Sequence, residues 1–492
     1  GSNSPHPKSL MVRYFSVAFN AVKTDGSYQV RSIPNAVEVV HASLPGRYTL
    51  ALALRIVRRM ETSASRSAVF NEIKSKNALY RFVDWIYQSC DDRIFKPLLL
   101  FAYMLKCVAC TGPSCVKGTE EAVAISQFPN EHRTIDRVES LVPQIEVLRI
   151  SLALRQSFGR EQWRATVALI LTAGRIFRFL QVLARSHNFM PSARIAGTLA
   201  FYIRFSYLFT ERPGLEAAIV ASNYSPEAVG MAAAAHRKDR RVVYANHAPV
   251  PANASFIPPV LADCALVYGE AMSQTYIQSS KCTAEIALIG QPGASEPMKF
   301  KEEVKTVGIF LTAGTRVEVL QSLIASVLLG LPFARIIIRQ HPVTLLQSDF
   351  AEIGLDDLNV KVTIGEPLEA QIAACDIVIC GNSGVALNVV SGGRPVAYLS
   401  SLDDGKFDTL GFVQSRLIYS MPWWTDDLYS RLKHFYQTSG WQDTMRRYDA
   451  AYLVDRDALN MSAREVLMRH LKPSSSSTEA QAPKVSKVLV SA

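Results

Sequence analysis

The stretch CDIVICGNSGVALNVVSGGRPVAYLS, residues 375–400, reads as one unit of an open parallel sheet. IVIC and VAYL are short apolar runs of the kind buried on both faces, and the small residues Gly381–Gly384 turn the first of them into a helix from Val385. Outward from it the same alternation continues: VGIFLTAG from Val307, a helix from Arg316 to Leu329, ARIIIRQHP, VKVTIGEP and a helix from Leu368. Right-handed crossovers make an open, doubly wound sheet the expected form of this unit. Upstream a second alternating set runs through EAAIVAS, SPEAVGMAAAAHRKD, RRVVYANH, PPVLADCALVYG, a helix from Glu270 and AEIALIG. Pro292, Gly293 and the polar stretch ASEPMKFKEEVK then separate the two sets as a linker.

The remaining sequence frames these units. Residues 3–63 mix strand-like pieces, YQVRSI and AVEVVHA, with the helical run LALALRIVRRM. From about 64 to 210 the spacing of apolar residues predicts helices, rich in arginine and aromatics. Two readings of these helices stay open, a core face with a solvated basic face, or docking on an anionic membrane surface. Residues 422–471 read as closing helices and the polar segment from Lys472 as a disordered tail. The expected domains are thus 1–291 with a helical insertion at about 64–210, 292–435, closing helices at 436–471 and the tail 472–492.

Across 492 residues, apolar types make up 49% and charged types 20%, a globular balance that excludes extensive disorder or a small disulfide scaffold. Lysine and arginine number 53 against 43 acids, and the surplus of ten suits an anionic partner. The eight cysteines lie mostly in apolar runs, as reduced cytoplasmic thiols do. Cys107, Cys110 and Cys115 lack a fourth ligand nearby and sit at the end of the helical run PLLLFAYMLKCVACTG, so no metal is expected. Lys106 interrupts that run short of a membrane span, and no signal peptide opens the chain, which points to a cytoplasmic or membrane-surface protein.

In an open parallel sheet ligands bind beyond the carboxyl ends of strands. Four turns there carry candidate ligands for a nucleotide. Thr312, Gly314 and Thr315 follow VGIFL; Arg339, Gln340 and His341 follow RIII and suit a phosphate clamp. Glu366 follows VKVTI, where a carboxylate can accept from ribose hydroxyls or complement a helix dipole. Asn382, Ser383 and Gly384 open a helix whose unpaired N–H groups suit a phosphate. No Walker loop and no GxGxxG fingerprint is present, which argues against ATP hydrolysis and ordinary NAD chemistry. In the first unit, Ser222–Ser225, Glu227, Asn246 and His247 follow strands and should line the opposite wall.

Two alternating domains, a pivot ending in IGQP, a strand followed by RQHP, and GNSG after CDIVIC resemble GT-B glycosyltransferases. The closest resemblance is to bacterial capsule and lipopolysaccharide Kdo transferases that use CMP-activated sugars, and more distantly to polysialyltransferases with their His-Pro motif. It covers roughly residues 215–435. It implies an α/β fold of two Rossmann-like parallel-sheet domains facing a cleft, with a large helical elaboration of the N-terminal one. It also implies a CMP-linked donor on the C-terminal domain, with His341, Ser383 and Gly384 at the phosphate and Glu366 near ribose or cytosine. The acceptor would be an oligosaccharide or lipid-linked glycan, and no tightly bound cofactor or metal is implied.

Retaining relatives use an aspartate nucleophile at a strand end, where this chain has Asn223. Either the nucleophile is elsewhere, with Glu227 the nearest acid, or Asn223 stands for an engineered aspartate, as the cloning remnant Gly1–Ser2 suggests; His247 would activate the acceptor hydroxyl. Three alternatives remain open. One is a UDP-sugar transferase or epimerase, one a non-catalytic glycan-binding relative, and one a nucleic-acid binder, the last disfavoured because the basic residues are dispersed. The expected location is the cytoplasm, peripherally at the inner face of the inner membrane.

Overall fold

A computed structural model describes residues 49–472 except 64–65, 67–69, 72–73, 75–76, 114–117, 153–158, 281, 294, 313, 342–358, 364 and 404–406. The expected strands YQVRSI and AVEVVHA, the tail after Lys472 and Cys115 lie outside the described residues.

Among the described residues, the first elements with defined bounds are helices α1 (Leu50–Glu61), α2 (Ala78–Ser89) and α3 (Phe95–Ala109). Strands β1 (Gly112–Pro113) and β2 (Ala122–Ile125), helix α4 (Pro129–Leu141) and strand β3 (Val147–Ser151) come next. Helices α5 (Arg160–Leu171), α6 (Ala173–Ser186) and α7 (Phe189–Glu211) lead to β4 (Ala217–Val220), α8 (Pro226–Arg237), β5 (Arg241–Ala245), β6 (Cys264–Val267), α9 (Glu270–Ser280) and β7 (Glu285–Leu288). These strands form one sheet in the order β1-β3-β2-β4-β5-β6-β7, parallel except for the short edge strand β1.

The region from 64 to 210 is therefore not simply helical. Its β2–α4–β3 unit supplies two strands of the first sheet, with Ala122–Ile125 paired to Ala217–Val220. AVAI and VLRIS are too short to stand out among long amphipathic helices, and only pairing with β4 defines them as strands. Helices α1, α3 and α5 pack on α7, which in turn covers α8.

The second sheet comprises β8 (Thr306–Phe310), β9 (Arg335–Arg339), β10 (Val360–Thr363), β11 (Ile377–Cys380), β12 (Val396–Leu399) and β13 (Tyr419–Met421). Helix α10 (Val317–Gly330) joins β8 to β9, α11 (Leu368–Ala374) leads into β11, and α12 (Val385–Ser391) joins β11 to β12. All six strands are parallel in the order β10-β9-β8-β11-β12-β13. Ile377, Val378 and Ile379 are fully buried, as a central strand covered on both faces requires. Helices α13 (Leu428–Tyr436), α14 (Trp441–Tyr448) and α15 (Arg456–Leu471) follow, and α15 returns to pack on β5, β6 and β7. The protein thus consists of two Rossmann-like domains, the GT-B-like arrangement, with the helical layer on the first.

At the amino-terminal edge of the first sheet, Asp263 binds the buried His236 ring (3.0 Å), the Val242 N–H (2.8 Å) and Arg241 (3.2 Å). Burial pushes its carboxyl up, but these partners, His236 foremost, outweigh it and hold it at about 2. A carboxyl so depressed stabilises the fold above its unfolded value near 4 and loses that contribution, about 2 kcal/mol, as pH falls from about 4 to 2. Melting temperatures of Asp263→Asn should therefore be lower than those of the parent at pH 7, and the gap should close at pH 2–3.

Candidate functional site

Counted within its own domain, the second sheet has the order 3-2-1-4-5-6, since β8 is first and lies between β9 and β11. The order reverses between β8 and β11, and the loops that diverge there leave a crevice at the carboxyl edge. Those loops are Thr312–Thr315 and Gly381–Gly384.

One carboxylate that sequence reasoning missed ties them together. Asp403, buried beyond β12, accepts from the Asn382 N–H (2.7 Å), the Asn382 side-chain amide (3.3 Å) and the Thr312 hydroxyl (3.3 Å). A Cβ on Gly381 would lie 2.1 Å from its Oδ2, so the first glycine of GNSG makes room for this carboxylate. Asn382 also accepts the Thr409 N–H (2.8 Å), and Thr315 bonds both the N–H (3.0 Å) and the carbonyl (3.1 Å) of Thr312. Thr312, Thr315 and Asn382 therefore brace the crevice through protein contacts. Ser383 is buried, with its hydroxyl 3.3 Å from the Val385 N–H, while Gly314 is exposed.

The turn at 339–341 leaves the same edge of the sheet as GNSG, but β8 lies between them. Two spacings of about 4.8 Å put the turns roughly 10 Å apart. Arg339 turns away from the crevice, donating to the Glu366 carbonyl (2.9 Å) and to Gln371. Both of these bonds come from Nη1, which the neighbouring loop thus engages. Gln340 is buried, and its amide nitrogen has no acceptor among the described residues; His341 is half-buried. Glu366 pairs with Lys361 at the surface (2.8 Å) beyond the edge strand β10, three strands from GNSG.

The first domain meets the crevice through the loop after β5. Pro249 lies 3.1 Å from the position a Cβ would take on Gly384, and Asn253 bonds the carbonyls of Asp408 (2.7 Å) and Thr409 (3.0 Å). His247, two residues before Pro249, donates from Nδ1 to the Ala221 carbonyl at the end of β4. A carbonyl only accepts, so in the neutral ring this bond holds the hydrogen on Nδ1 and leaves the lone pair on Nε2. Asn246 is structural, bonding Tyr276 (3.1 Å) and the Ala248 N–H (2.8 Å).

The other two first-domain candidates, Asn223 and Glu227, are both buried. Asn223 is buried and donates to the Pro258 carbonyl at 2.8 Å. An aspartate would set a carboxylate oxygen against that carbonyl, so the amide suits this place on its own account. Glu227 is buried in the helical layer, where burial raises its pKa and the charge of Arg194 on α7 opposes the rise. The first sheet has its own reversal, between β2 and β4, so Ser126–Phe128 and Ser222–Ser225 flank a second crevice. The exposed His132 and Arg133 stand near the start of α4 beside it, unforeseen because β2 itself was not recognised.

Among the described residues no group of three or more His, Cys, Asp or Glu side chains could hold a metal ion. Cys107 and Cys110 are free and buried, and burial pushes the Cys107 thiol up to about 12.

Fold and crevices define a GT-B-like pair of nucleotide-fold domains. No family model matches the sequence, and no curated protein matches it. Solved structures that it is similar to include S. aureus MnaA with UDP (11% identity, 72% of this chain and 96% of that one, TM-score 0.45). The UDP-GlcNAc 2-epimerase of Neisseria meningitidis bound to UDP-GlcNAc (9%, 71% and 99%, TM-score 0.44) is another, as is the calicheamicin glycosyltransferase CalG4 (11%, 76% and 95%, TM-score 0.42). All three are distant likenesses.

Proposed function

We propose that the protein is a glycosyltransferase that moves Kdo, or a related ulosonic acid, from a CMP-linked donor to a surface-glycan acceptor. The observation that carries this reading is the reversal between β8 and β11, with Ser383 and Gly384 on one lip and His247 brought to the other by the Pro249 contact. The nucleotide lies along Thr312, Gly314, Thr315 and Gly381–Gly384, and the buried Gln340 amide, without an acceptor among the described residues, is a ready donor to it. His247 Nε2 takes the proton of the acceptor hydroxyl. Asn223 and Glu227, one amide-bonded and one buried, are not assigned a covalent step, which favours direct attack by the acceptor. The surplus of ten positive charges suits a donor bearing both a phosphate and a sugar carboxylate.

A melting panel tests the donor. CMP near 100 times its Kd should stabilise the fold by about 2.7 kcal/mol, and UMP, UDP and GDP by less. Ser383→Ala, His341→Ala and Asp403→Ala should each shrink the CMP shift. Equal shifts from all four nucleotides would discard the CMP assignment, and a larger shift from UDP would put a UDP-linked donor in its place.

A further inference from the structure

The helical layer carries exposed apolar side chains on α2 and at the start of α3. On α2, Leu79, Phe82 and Trp85 are 71%, 55% and 64% exposed, and the rings of Phe82 and Trp85 stack at 6.2 Å. One turn onward, Ile94, Phe95 and Leu98 at the start of α3 are about half exposed. Gln181 of α6 donates to the Arg93 carbonyl (2.7 Å), which sets the second half of α6 beside them. There Arg178, Val182 and Arg185 recur at spacings of four and three, all exposed, on a helix with no acidic residue. Its other face, Ile176, Leu180 and Leu183, is buried in the layer. No single described helix is long and apolar enough to cross a membrane. Helices α5 and α6 together reach that composition, but the chain bends by 74° between them.

We propose that this face docks the protein on an anionic bilayer, lying in the headgroup region rather than across it. Isolated exposed apolar residues are ordinary, but six on two helices joined by a short connection mark an interaction surface. Tryptophan and phenylalanine seat at the boundary of headgroup and acyl chain, while arginines reach outward to lipid phosphates. The charge selects the occupant: pairing two copies through this face would set Arg178 and Arg185 against like charges, whereas anionic headgroups complement them. The proposal does not depend on the nucleotide reading.

The test is flotation of the full chain with vesicles of phosphatidylcholine alone and with about 30% phosphatidylglycerol. The parent should float with the anionic vesicles, with a blue shift of Trp85 fluorescence that Trp85→Phe removes. W85S/F95S and R178E/R185E should each weaken partitioning about tenfold or more. Because all four side chains are exposed, both variants should melt as the parent does. A parent that stays unbound with both vesicle types would overturn the proposal, and so would binding that survives in both variants. A dimer in light scattering that W85S/F95S abolishes, with no vesicle capture, would give the face to a second copy instead.

Discussion

Replacing His247 by alanine should slow glycosyl transfer by about 10²- to 10⁴-fold, the usual contribution of a positioned acid or base. That is about 3–6 kcal/mol in the barrier. The ring is fixed from behind: its Nδ1 bond to the Ala221 carbonyl sets orientation and tautomer together. When Nε2 takes a proton, the Nδ1–H remains on the carbonyl, so the imidazolium forms without rearrangement. The nucleotide lips are built by the other domain, so the CMP-induced melting shift of His247→Ala should match that of the parent. The pH–rate profile should lose one limb. A loss of less than threefold, or an equal loss of nucleotide binding, would remove the ring from the mechanism.

Asp449→Ala should cost about 3 kcal/mol, read as a melting temperature about 3–5 °C lower. Its carboxylate is fully buried where the chain crosses between the domains twice. It accepts from the Gln291 N–H (2.8 Å) on the outward crossing, the Ala451 N–H (3.0 Å) on the return, and the Ser391 hydroxyl (2.9 Å) at the end of α12. Alanine leaves two backbone donors buried without acceptors, and each carries a desolvation cost. The surroundings cannot close over the gap, because the crossings already touch. Gly290 has φ +66°, and a Cβ there would lie 2.2 Å from that of Ala451. Arg137 holds the same pivot from α4 through the carbonyls of Ile289 and Gly290. Asp449→Asn keeps one acceptor and should lose less than half as much; equal losses would mean that packing, not hydrogen bonding, is responsible.

Much of the fold was legible because burial on both faces writes itself locally. IVIC, Ile336–Ile338 and AAIV are continuous apolar runs, and each is buried within a strand. The glycine turn after IVIC was equally plain as a strand-to-helix junction. What could not be seen was the destination of each polar group. Arg339 at a strand end is the same residue whether it faces a ligand or, as here, the Glu366 carbonyl and Gln371. Asp403 gave no signal, since it lies beyond the end of β12, and its partners, Thr312 and Asn382, are distant in the chain. The partner of Asn223, the Pro258 carbonyl, is likewise distant in the chain and is not visible from its sequence position.

By itself, then, the sequence determined the alternation of buried strands and covering helices, and where glycine had to turn the chain, because apolar period and backbone freedom act over a few residues. Tertiary structure alone decided that β8 lies between β9 and β11, that β2 and β3 join the first sheet, and that Pro249 abuts Gly384. Strand neighbours and domain contacts are set by hydrogen-bond ladders and packing between distant segments, and no local pattern specifies the partner.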